Sequence, residues 1–381
     1  MPIRVLVVDD SSFMRRLLTR AFDGARGFEL VGEARDGVDA LAKVAQLDPD
    51  LITLDIEMPR KNGLEVLKDL RARHPRRPSV VMCSSLTTAG SEATLEALRL
   101  GASDFIAKSS SFSVADAPTF ERELLEKARA VAPRAIAALN RGAARAAPPS
   151  PGAAGPSGAS PIVKRSAPAP SNRRFPESAR VLVVGSSTGG PPVLEALVRS
   201  LPEGYGVPVV IAQHMPELFT RSLATRLDRM TPLHVRLAES GQGLKPGTVT
   251  IARGGAHVVV GSRGGVDRIS VTDEPSAAIF KPDVDVLFES AAEAFGSGAV
   301  GMILTGMGDD GADGAGVIRA KGGYMLTQDE DSCVVYGMPK AVDERGDSDR
   351  SGSPEELFAL IAKLQSGGRQ AYGLGGGRRS A

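Results

Sequence analysis

A long segment near the middle of the chain is built largely from alanine, proline, glycine and serine. It covers residues 142–172 of a chain of 381 residues. Such a composition cannot bury enough apolar surface to offset the entropy that ordering costs, so it predicts a flexible linker, partly extended by its prolines. We therefore expect a first domain over residues 1–130, a linker over 131–177, a second domain over 178–365 and a disordered tail over 366–381.

Both domains alternate strand-like and helix-like patterns. In the first domain, five apolar runs of strand type end near Val8, Glu33, Leu54, Cys83 and Ala107, with helix-period segments between them. This alternation predicts a doubly wound parallel sheet. The second domain begins in the same way, then carries β-rich material, TVTIARGGAHVVVGS and DRISVTD, before the apolar strand VGMILTG. We expect a second α/β domain of the same class, with a β-hairpin insertion.

The overall composition excludes several classes of protein. The 46 lysines and arginines nearly balance the 45 acidic residues, so no nucleic-acid partner is expected. No apolar run approaches the roughly 20 residues that a membrane-spanning helix needs, and the N-terminus lacks the pattern of a signal peptide. The two cysteines, Cys83 and Cys333, lie in apolar runs and are expected to be buried free thiols. A cytoplasmic protein that is not inserted in a membrane is therefore predicted.

Polar side chains follow the strands of the first domain where each strand ends. Asp9 and Asp10 follow the first strand, and Asp55, Ser84 and Lys108 end the third, fourth and fifth. The carboxyl ends of parallel strands share one edge of the sheet, so these groups should converge. Carboxylates crowded together favour a hard cation such as Mg²⁺, and Asp55 is then a candidate covalent phosphoryl acceptor. Any one of these acids alone is better explained as a helix cap or turn residue, but five matching residues favour a site.

A Gly/Ser turn, Gly185–Gly190, follows the first strand of the second domain and precedes a helix. The turn fits either a phosphate-binding loop or the G-x-S-x-G pattern of a nucleophile elbow. A dinucleotide loop would need a second glycine where Ser187 stands and an acid after the next strand, which ends instead in Gln213-His214. A P-loop would need a lysine in the turn. The elbow is therefore the favoured interpretation.

A nucleophile elbow needs a base and an orienting acid. His214 ends the neighbouring strand, and a third strand is followed by Asp309 and Asp310, so serine, histidine and aspartate should meet at one sheet edge. The order Ser–His–Asp along the chain differs from that of the α/β-hydrolases, but a triad is defined by its geometry. Each residue alone is more often structural, whereas their convergence favours catalysis. A nucleotide-binding domain and a non-catalytic output domain are the alternatives.

The residues at the first sheet edge resemble those of the receiver domain of response regulators. The resemblance covers the whole first domain and implies a flavodoxin-like fold. It also implies that a histidine kinase phosphorylates Asp55, that Asp9 and Asp10 help to bind Mg²⁺, and that Ser84 and Phe105 are switch residues. Receivers usually follow this lysine with proline, but Ser109 follows Lys108 here, so no cis peptide is expected.

The second domain resembles the chemotaxis protein-glutamate methylesterases, the CheB family. The resemblance rests on the pieces VVGSSTGG, AQHMP, LTGMGDDGADG and QDEDSCVVYGMP, in this order and behind a receiver. It implies a Rossmann-like catalytic domain with Ser187 as nucleophile, His214 as base and Asp310 as the orienting acid. Ser186 takes the place of a usual alanine, and Asp309 stands where asparagine is frequent.

The resemblance also implies the substrate and the regulation. Ser187 would attack γ-glutamyl methyl esters on the cytoplasmic helices of methylated chemoreceptors, and the same chemistry would deamidate glutamine. Backbone N–H groups after Ser187, with one from the Gly306–Met307 turn, would bind the oxyanion. The chemotaxis histidine kinase would be the phosphodonor, and no metal or other cofactor is expected in the esterase domain. Phosphorylation of Asp55 is expected to relieve inhibition by the receiver.

Overall fold

The computed structural model describes residues 1–73, 78–108, 117–146 and 173–367. Most of the predicted linker and nearly all of the predicted tail lie outside these ranges, so the predicted domain boundaries stay predictions. The helix that closes the first domain begins at Ala117 and continues to Ala146, beyond the boundary expected at residue 130.

The first domain alternates strands and helices along the chain, as its sequence pattern predicts. Its described elements are β1 (Ile3–Val8), α1 (Ser12–Phe22), β2 (Phe28–Ala34), α2 (Gly37–Leu47), β3 (Leu51–Asp55), α3 (Gly63–Arg73), β4 (Ser79–Ser85), α4 (Thr88–Arg99), β5 (Asp104–Lys108) and α5 (Ala117–Ala146). The strands form one parallel sheet in the order β2-β1-β3-β4-β5. The reversal of strand order beside β1 creates the crevice at the carboxyl edge where such sheets hold ligands.

The two faces of this sheet are both covered by helices, because successive side chains of each strand point to opposite sides. Val5 and Val7 of β1 pack with α1 and α5 in one apolar cluster. Leu6 and Val8 pack with the other helices, α2, α3 and α4, in a second cluster. Val5–Val8 are fully buried on both sides of the sheet, which explains why this part of β1 is a continuous apolar run rather than an alternating one.

The second domain is built on a larger parallel sheet. Its described elements are β6 (Ser178–Ala179), β7 (Val181–Ser186), α6 (Gly190–Ser200), β8 (Val209–Gln213), α7 (Glu217–Asp228), β9 (His234–Leu237), β10 (Thr248–Ile251), β11 (His257–Arg263), β12 (Val266–Thr272), α8 (Val284–Phe295), β13 (Ala299–Ile303), α9 (Ala312–Ala320), β14 (Tyr324–Gln328), α10 (Met338–Arg345), β15 (Arg350–Gly352), α11 (Pro354–Ile361) and β16 (Gln365–Ser366). The central sheet has the order β15-β14-β13-β7-β8-β10-β9, and every neighbouring pair in it is parallel. The expected class, two doubly wound parallel sheets, is confirmed.

The β-rich insertion is smaller than the sequence suggests. The predicted hairpin included the segment TVTI, but this segment is β10 and pairs in parallel with β8 and β9 inside the central sheet. Among the described strands, only β11 and β12 form an antiparallel hairpin. The sequence could not separate the two, because short β-branched runs suit a central strand and a hairpin strand equally well.

The two domains pack against each other through α4 and β5 of the first domain and α7 of the second. The hydroxyl groups of Ser91 and Ser222 lie 2.6 Å apart and are buried between α4 and α7. The rings of Phe105 and Phe219 stack with centroids 4.5 Å apart. Because both rings are buried, the apolar cores of the two domains are continuous at this contact.

Two further expectations from composition concern the cysteines and membrane-spanning helices. Cys83 and Cys333 are both buried. Among the described helices, none has the length and apolar character that crossing a bilayer requires.

Candidate functional site

The Gly/Ser turn lies at the carboxyl end of β7, with β13 on one side of that strand and β8 on the other. Ser186 is the last residue of the strand and is fully buried, and its hydroxyl donates to Gln213 Oε1 at 2.7 Å. Ser187 is the first residue beyond the strand and is partly exposed to a cavity. Gln213 Nε2 donates in turn to the backbone carbonyl of Ser187 at 2.9 Å. Ser186 therefore holds the Gln213 side chain, which in turn holds the backbone carbonyl of Ser187.

Two glycines allow this turn to close tightly. Gly189 has a φ of 78°, in the left-handed region, and a Cβ there would lie 2.5 Å from Val334. A Cβ on Gly190 would lie 2.1 Å from Gln213 Oε1. Glycine is therefore required at both positions, and α6 begins at Gly190, three residues after Ser187.

His214 and Asp310 form a buried pair on the same sheet edge. His214 Nε2 lies 2.6 Å from Asp310 Oδ2, and both side chains are less than a tenth exposed. The other ring nitrogen, Nδ1, is buried and has no hydrogen-bond partner among the described residues. With Nε2–H donating to the carboxylate, Nδ1 carries the free lone pair. This nitrogen is the one available to accept a proton.

The N-terminus of α8 holds the carboxylate of Asp310. The N–H groups of Val284 and Asp285 donate to its oxygens at 2.9–3.1 Å. Burial alone raises the pKa of Asp310, but the hydrogen bond and charge of His214, together with these N–H groups, outweigh it and lower the pKa below its ordinary value. Asp310 is therefore ionised and oriented toward the imidazole.

A cavity of about 620 Å³ opens between the two domains at this edge. Ser187, His214 and Met307 line it from the second domain. Thr119 and Arg122 of α5 line it from the first. Ser187 and His214 therefore face a space that the first domain partly covers, while Asp310 lies buried behind His214. Asp309, beside Asp310, is exposed.

A second group of predicted residues meets at the edge of the first sheet. Carboxylate oxygens of Asp9, Asp10 and Asp55 lie within 4.8 Å of one another. Lys108 Nζ lies 2.7 Å from Asp9 Oδ2 and 2.7 Å from Asp55 Oδ1. These four residues come from the ends of β1, β3 and β5, as the parallel order predicts.

The charges in this pocket suit a divalent cation. Burial raises the pKa of Asp55 to about 6; Lys108 opposes this shift and the nearby charge of Asp9 adds to it. Within the pocket, one ammonium group faces three carboxylates, so negative charge is left uncompensated. A hard cation with oxygen ligands, such as Mg²⁺, fits this donor set.

The two predicted switch residues lie between this pocket and the second domain. Ser84 is buried at the end of β4, and its hydroxyl donates to the carbonyl of Gly90 in α4. Phe105 is buried in β5 against Phe219 of the second domain. The expectation about the Lys108–Ser109 peptide bond lies outside the described residues.

One direct bond joins the first domain to the Gly/Ser turn. Thr188 Oγ1 donates to Asp104 Oδ2 at 2.5 Å, and both residues are buried. Asp104 immediately precedes Phe105, and Thr188 immediately follows Ser187. Sequence reasoning missed this contact, since nothing in the sequence indicates that Asp104 faces another domain.

Sequence reasoning also missed the residues that surround the His–Asp pair. Phe280 stacks on the ring of His214, and α8 supplies the N–H groups to Asp310. The start of α8 had a readable signal: Asp283 caps the helix by accepting from the N–H of Val286. Phe280 had none, because a single aromatic residue in a loop has no characteristic pattern.

Asp285 lies beside the His214–Asp310 pair, and the pH dependence of protein stability can test whether its pKa is raised. Burial, with the nearby charge of Asp310, raises the pKa of Asp285 to about 7 against the opposing N–H of Gly314. Between about pH 4 and pH 7 the folded state holds a proton that the unfolded chain releases, so stability falls as the pH rises through this window. Asp285→Asn should therefore melt at a higher temperature than the unmodified chain at pH 8, and near the same temperature at pH 4.

Thermal unfolding followed by circular dichroism at both pH values measures this effect. Replacement of the exposed Asp309 by asparagine is the control and should leave the pH dependence unchanged. An equal melting temperature for Asp285→Asn and the unmodified chain at pH 8 would contradict the raised pKa.

Comparison with known proteins identifies the family. The family model described as CheB methylesterase matches residues 182–361, and the response regulator receiver domain model matches residues 5–115. Protein-glutamate methylesterase/protein-glutamine glutaminase 1 of Oleidesulfovibrio alaskensis is 42% identical over 373 residues, which are 94% of this chain and 98% of the relative. Protein-glutamate methylesterase/protein-glutamine glutaminase of Symbiobacterium thermophilum is 43% identical over 351 residues, 91% of this chain and 92% of the relative.

These matches span both domains and confirm the resemblance, the fold class and the enzyme class that the sequence predicts. The chain therefore belongs to the CheB family, the methylesterase/glutaminases that carry a response-regulator receiver domain.

Proposed function

We propose that this protein hydrolyses γ-glutamyl methyl esters on the cytoplasmic domains of chemoreceptors, and deamidates glutamine there, through Ser187, His214 and Asp310. The observation that carries the proposal is the buried pair of His214 and Asp310, 2.6 Å apart, whose imidazole lines the same cavity as Ser187. The names of the relatives support both reactions. A cytoplasmic location and the lack of a nucleic-acid partner stay predictions from the sequence.

The acylation step uses Nδ1 of His214, the ring nitrogen that has no hydrogen-bond partner among the described residues. Ser187 Oγ attacks the ester carbonyl carbon while His214 Nδ1 takes the hydroxyl proton. The C–O bond to the methoxy group then breaks, and the proton passes from Nδ1 to that oxygen, so methanol leaves. Asp310 keeps the Nε2–H bonded to its carboxylate and stabilises the positive charge that the ring acquires in between.

The negative charge of the tetrahedral intermediate needs hydrogen-bond donors. We assign this role to N–H groups that follow Ser187 at the N-terminus of α6, together with that of Met307. Met307 lines the cavity beside Ser187. Gly306, the other residue of that turn, is a poorer candidate because its N–H already donates to the carbonyl of Val335 at 3.0 Å.

Deacylation reuses the same groups. Water attacks the acyl carbon, its proton moves to His214 Nδ1, and the proton returns to Ser187 Oγ as the glutamate carboxylate leaves. With glutamine as substrate, ammonia leaves in place of methanol, and the second half is identical. These steps use only side chains and water, and the absence of a cofactor from this domain stays a prediction from the sequence.

The test is methanol release from a chemoreceptor that carries methyl esters on its glutamates. The intact chain with a phosphodonor should release methanol and leave free glutamate, and His214→Ala should lose nearly all of this activity. Conversion of receptor glutamine to glutamate, followed by mass spectrometry, tests the second reaction. Full activity in the His214→Ala protein would contradict the proposed mechanism.

In the receiver domain, we propose that a chemotaxis histidine kinase phosphorylates Asp55. Asp9, Asp10 and Asp55 would hold Mg²⁺, which when bound supplies positive charge to balance the phosphoryl oxygens. The Lys108 ammonium group, 2.7 Å from Asp55 Oδ1, is placed to pair with a phosphoryl group on that residue. Burial and the charge of Asp9 raise the pKa of Asp55, so a cation bound beside it would favour the ionised carboxylate that attacks the phosphoryl group.

We further propose that the unphosphorylated receiver inhibits the esterase by covering the Ser187 edge. Residues of β5 and α5 line the cavity at this edge, while α4 packs against α7. Ser84 and Lys108 of the phosphorylation pocket lie at the ends of β4 and β5. The bond from Thr188 to Asp104 links the nucleophile turn directly to β5. A shift of β4 and β5 on phosphorylation would therefore weaken the contacts that hold the receiver in place.

Breaking the interface away from the active site should activate the enzyme without phosphorylation. Ser91→Lys places a long charged side chain in the buried contact with Ser222. Methanol release without a phosphodonor should rise by roughly 5- to 150-fold, the usual range of coupling between sites, and a phosphodonor should then add little.

The matched control is Glu92→Lys, which adds the same side chain at the next, exposed position of α4. This variant should keep the low basal rate and the full response to phosphorylation. If Ser91→Lys keeps the basal rate of the unmodified chain although limited proteolysis shows that the domains have separated, the receiver does not inhibit the esterase.

A further inference from the structure

The imidazole of His214 is held by more than its bond to Asp310. That bond fixes Nε2, but one bond leaves the ring free to tilt about it. The ring of Phe280 lies parallel to the imidazole, with centroids 4.4 Å apart and an interplanar angle of 11°. Two flat faces in contact define a plane, so the stack removes the rotation that the hydrogen bond allows.

Phe280 has no evident role in the packing of the domain. It does not belong to any of the three apolar clusters that form the cores of the described residues. It lies in the loop between β12 and α8, is half-buried and lines the cavity beside His214. A phenylalanine that contributes to no core but covers the face of the candidate base is placed for function.

The same short segment also holds the partner of His214. Only three residues separate Phe280 from Val284, whose N–H donates to Asp310 at 2.9 Å, and the N–H of Asp285 donates at 3.0 Å. The segment 280–285 therefore positions both members of the pair, the imidazole by its face and the carboxylate by the start of α8. The imidazole is thus held in one orientation, and its Nδ1 atom has no hydrogen-bond partner among the described residues.

We propose that Phe280 is a positioning residue, whose ring sets the plane of His214 so that Nδ1 is aligned with the Ser187 hydroxyl during proton transfer. This inference rests on the proposed function, since it takes His214 to be the base. The rate of proton transfer depends steeply on the distance and angle between the groups, and misplacement of a catalytic group by about 1 Å can lower a rate by about a hundredfold. The ring should therefore affect kcat much more than the binding of the receptor.

The experiment compares Phe280→Ala, Phe280→Tyr and the control Val266→Ala in the intact, phosphorylated chain, with methanol release as the assay. Phe280→Ala should lower kcat by about tenfold or more and change KM by less than about twofold, because the ring orients the base without holding the substrate. Phe280→Tyr keeps an aromatic face and should retain most of kcat. Val266, at the start of β12, is exposed and does not line this cavity, so its replacement should leave kcat unchanged.

The direction of the effect separates positioning from inhibition by the receiver. Phe280 also lines the space next to α5, and if it served mainly to hold the receiver, Phe280→Ala would raise the rate of the unphosphorylated chain. Nuclear magnetic resonance adds a readout of the stack itself: the ring protons of His214 should be shifted upfield in the unmodified chain and in Phe280→Tyr, and should lose this shift in Phe280→Ala. Melting temperatures of all variants report whether the fold is kept.

A kcat for folded Phe280→Ala within twofold of the unmodified chain would overturn the inference. So would a Phe280→Tyr protein that keeps the upfield shift but is as slow as Phe280→Ala. Both outcomes leave the proposed function intact if His214→Ala is inactive. Full activity of His214→Ala would instead remove the proposed function, whatever the Phe280 variants do.

Discussion

Replacing Ser187 by alanine is expected to lower methanol release by about 10⁴- to 10⁶-fold, because the alanine side chain has no oxygen to attack the ester. What remains would come from substrate binding and the oxyanion donors alone. The measurement is the rate of methanol release from methylated receptor by the phosphorylated chain. A fluorophosphonate probe, which labels activated serines, should modify the Ser187 peptide of the unmodified chain and leave the Ser187→Ala protein unlabelled.

Ser186→Ala is the matched control for this prediction. The Ser186 hydroxyl is buried and donates to Gln213, so its loss should cost on the order of 1 kcal/mol of stability and leave the nucleophile in place. We expect activity within a few-fold of the unmodified chain and unchanged probe labelling. If Ser186→Ala abolishes activity and Ser187→Ala does not, the two serines have exchanged roles.

Replacing Asp310 by asparagine should lower kcat by about 10³- to 10⁴-fold while the fold is retained. The amide oxygen can still accept from the N–H groups of Val284 and Asp285, which keeps the start of α8 in place. The amide nitrogen, however, would face His214 Nε2 and favour the tautomer with the proton on Nδ1. That nitrogen could then no longer accept the proton of Ser187.

Asp309→Asn is the control, since it makes the same change at the neighbouring, exposed residue. This protein should keep its activity and its melting temperature. Comparable losses in the two variants would mean that the negative charge of the turn, rather than the bond to His214, is what the enzyme requires.

The positions of the site residues could be predicted because they depend on strand order alone. Asp9, Asp55 and Lys108 end strands of one parallel sheet, and Ser187, His214 and Asp310 follow three adjacent strands of another. Parallel strands bring their carboxyl ends to a single edge, so an apolar run followed by a polar residue is enough to place that residue. An apolar run does not show which strand it pairs with, so the sequence did not reveal that β10 belongs to the central sheet rather than to the hairpin.

Contacts between elements could not be predicted in this way. Thr188 and Asp104 are far apart in the chain and belong to different domains. In the sequence, neither is distinguishable from any other polar residue at the end or start of a strand. Phe280 could equally have packed into a core. Such contacts depend on the relative placement of packed surfaces, which has no local periodicity to read.

The sequence by itself determined the family, two doubly wound parallel sheets and the residues at their carboxyl edges, because strand and helix periodicity is a local property of the chain. Only the tertiary structure decided that Ser186 is buried while Ser187 opens to the cavity, and that His214 meets Asp310 through Nε2. It also decided that the first domain partly covers this edge. These features depend on which atoms meet once the elements are packed, and close packing selects one arrangement from many that the same local pattern would allow.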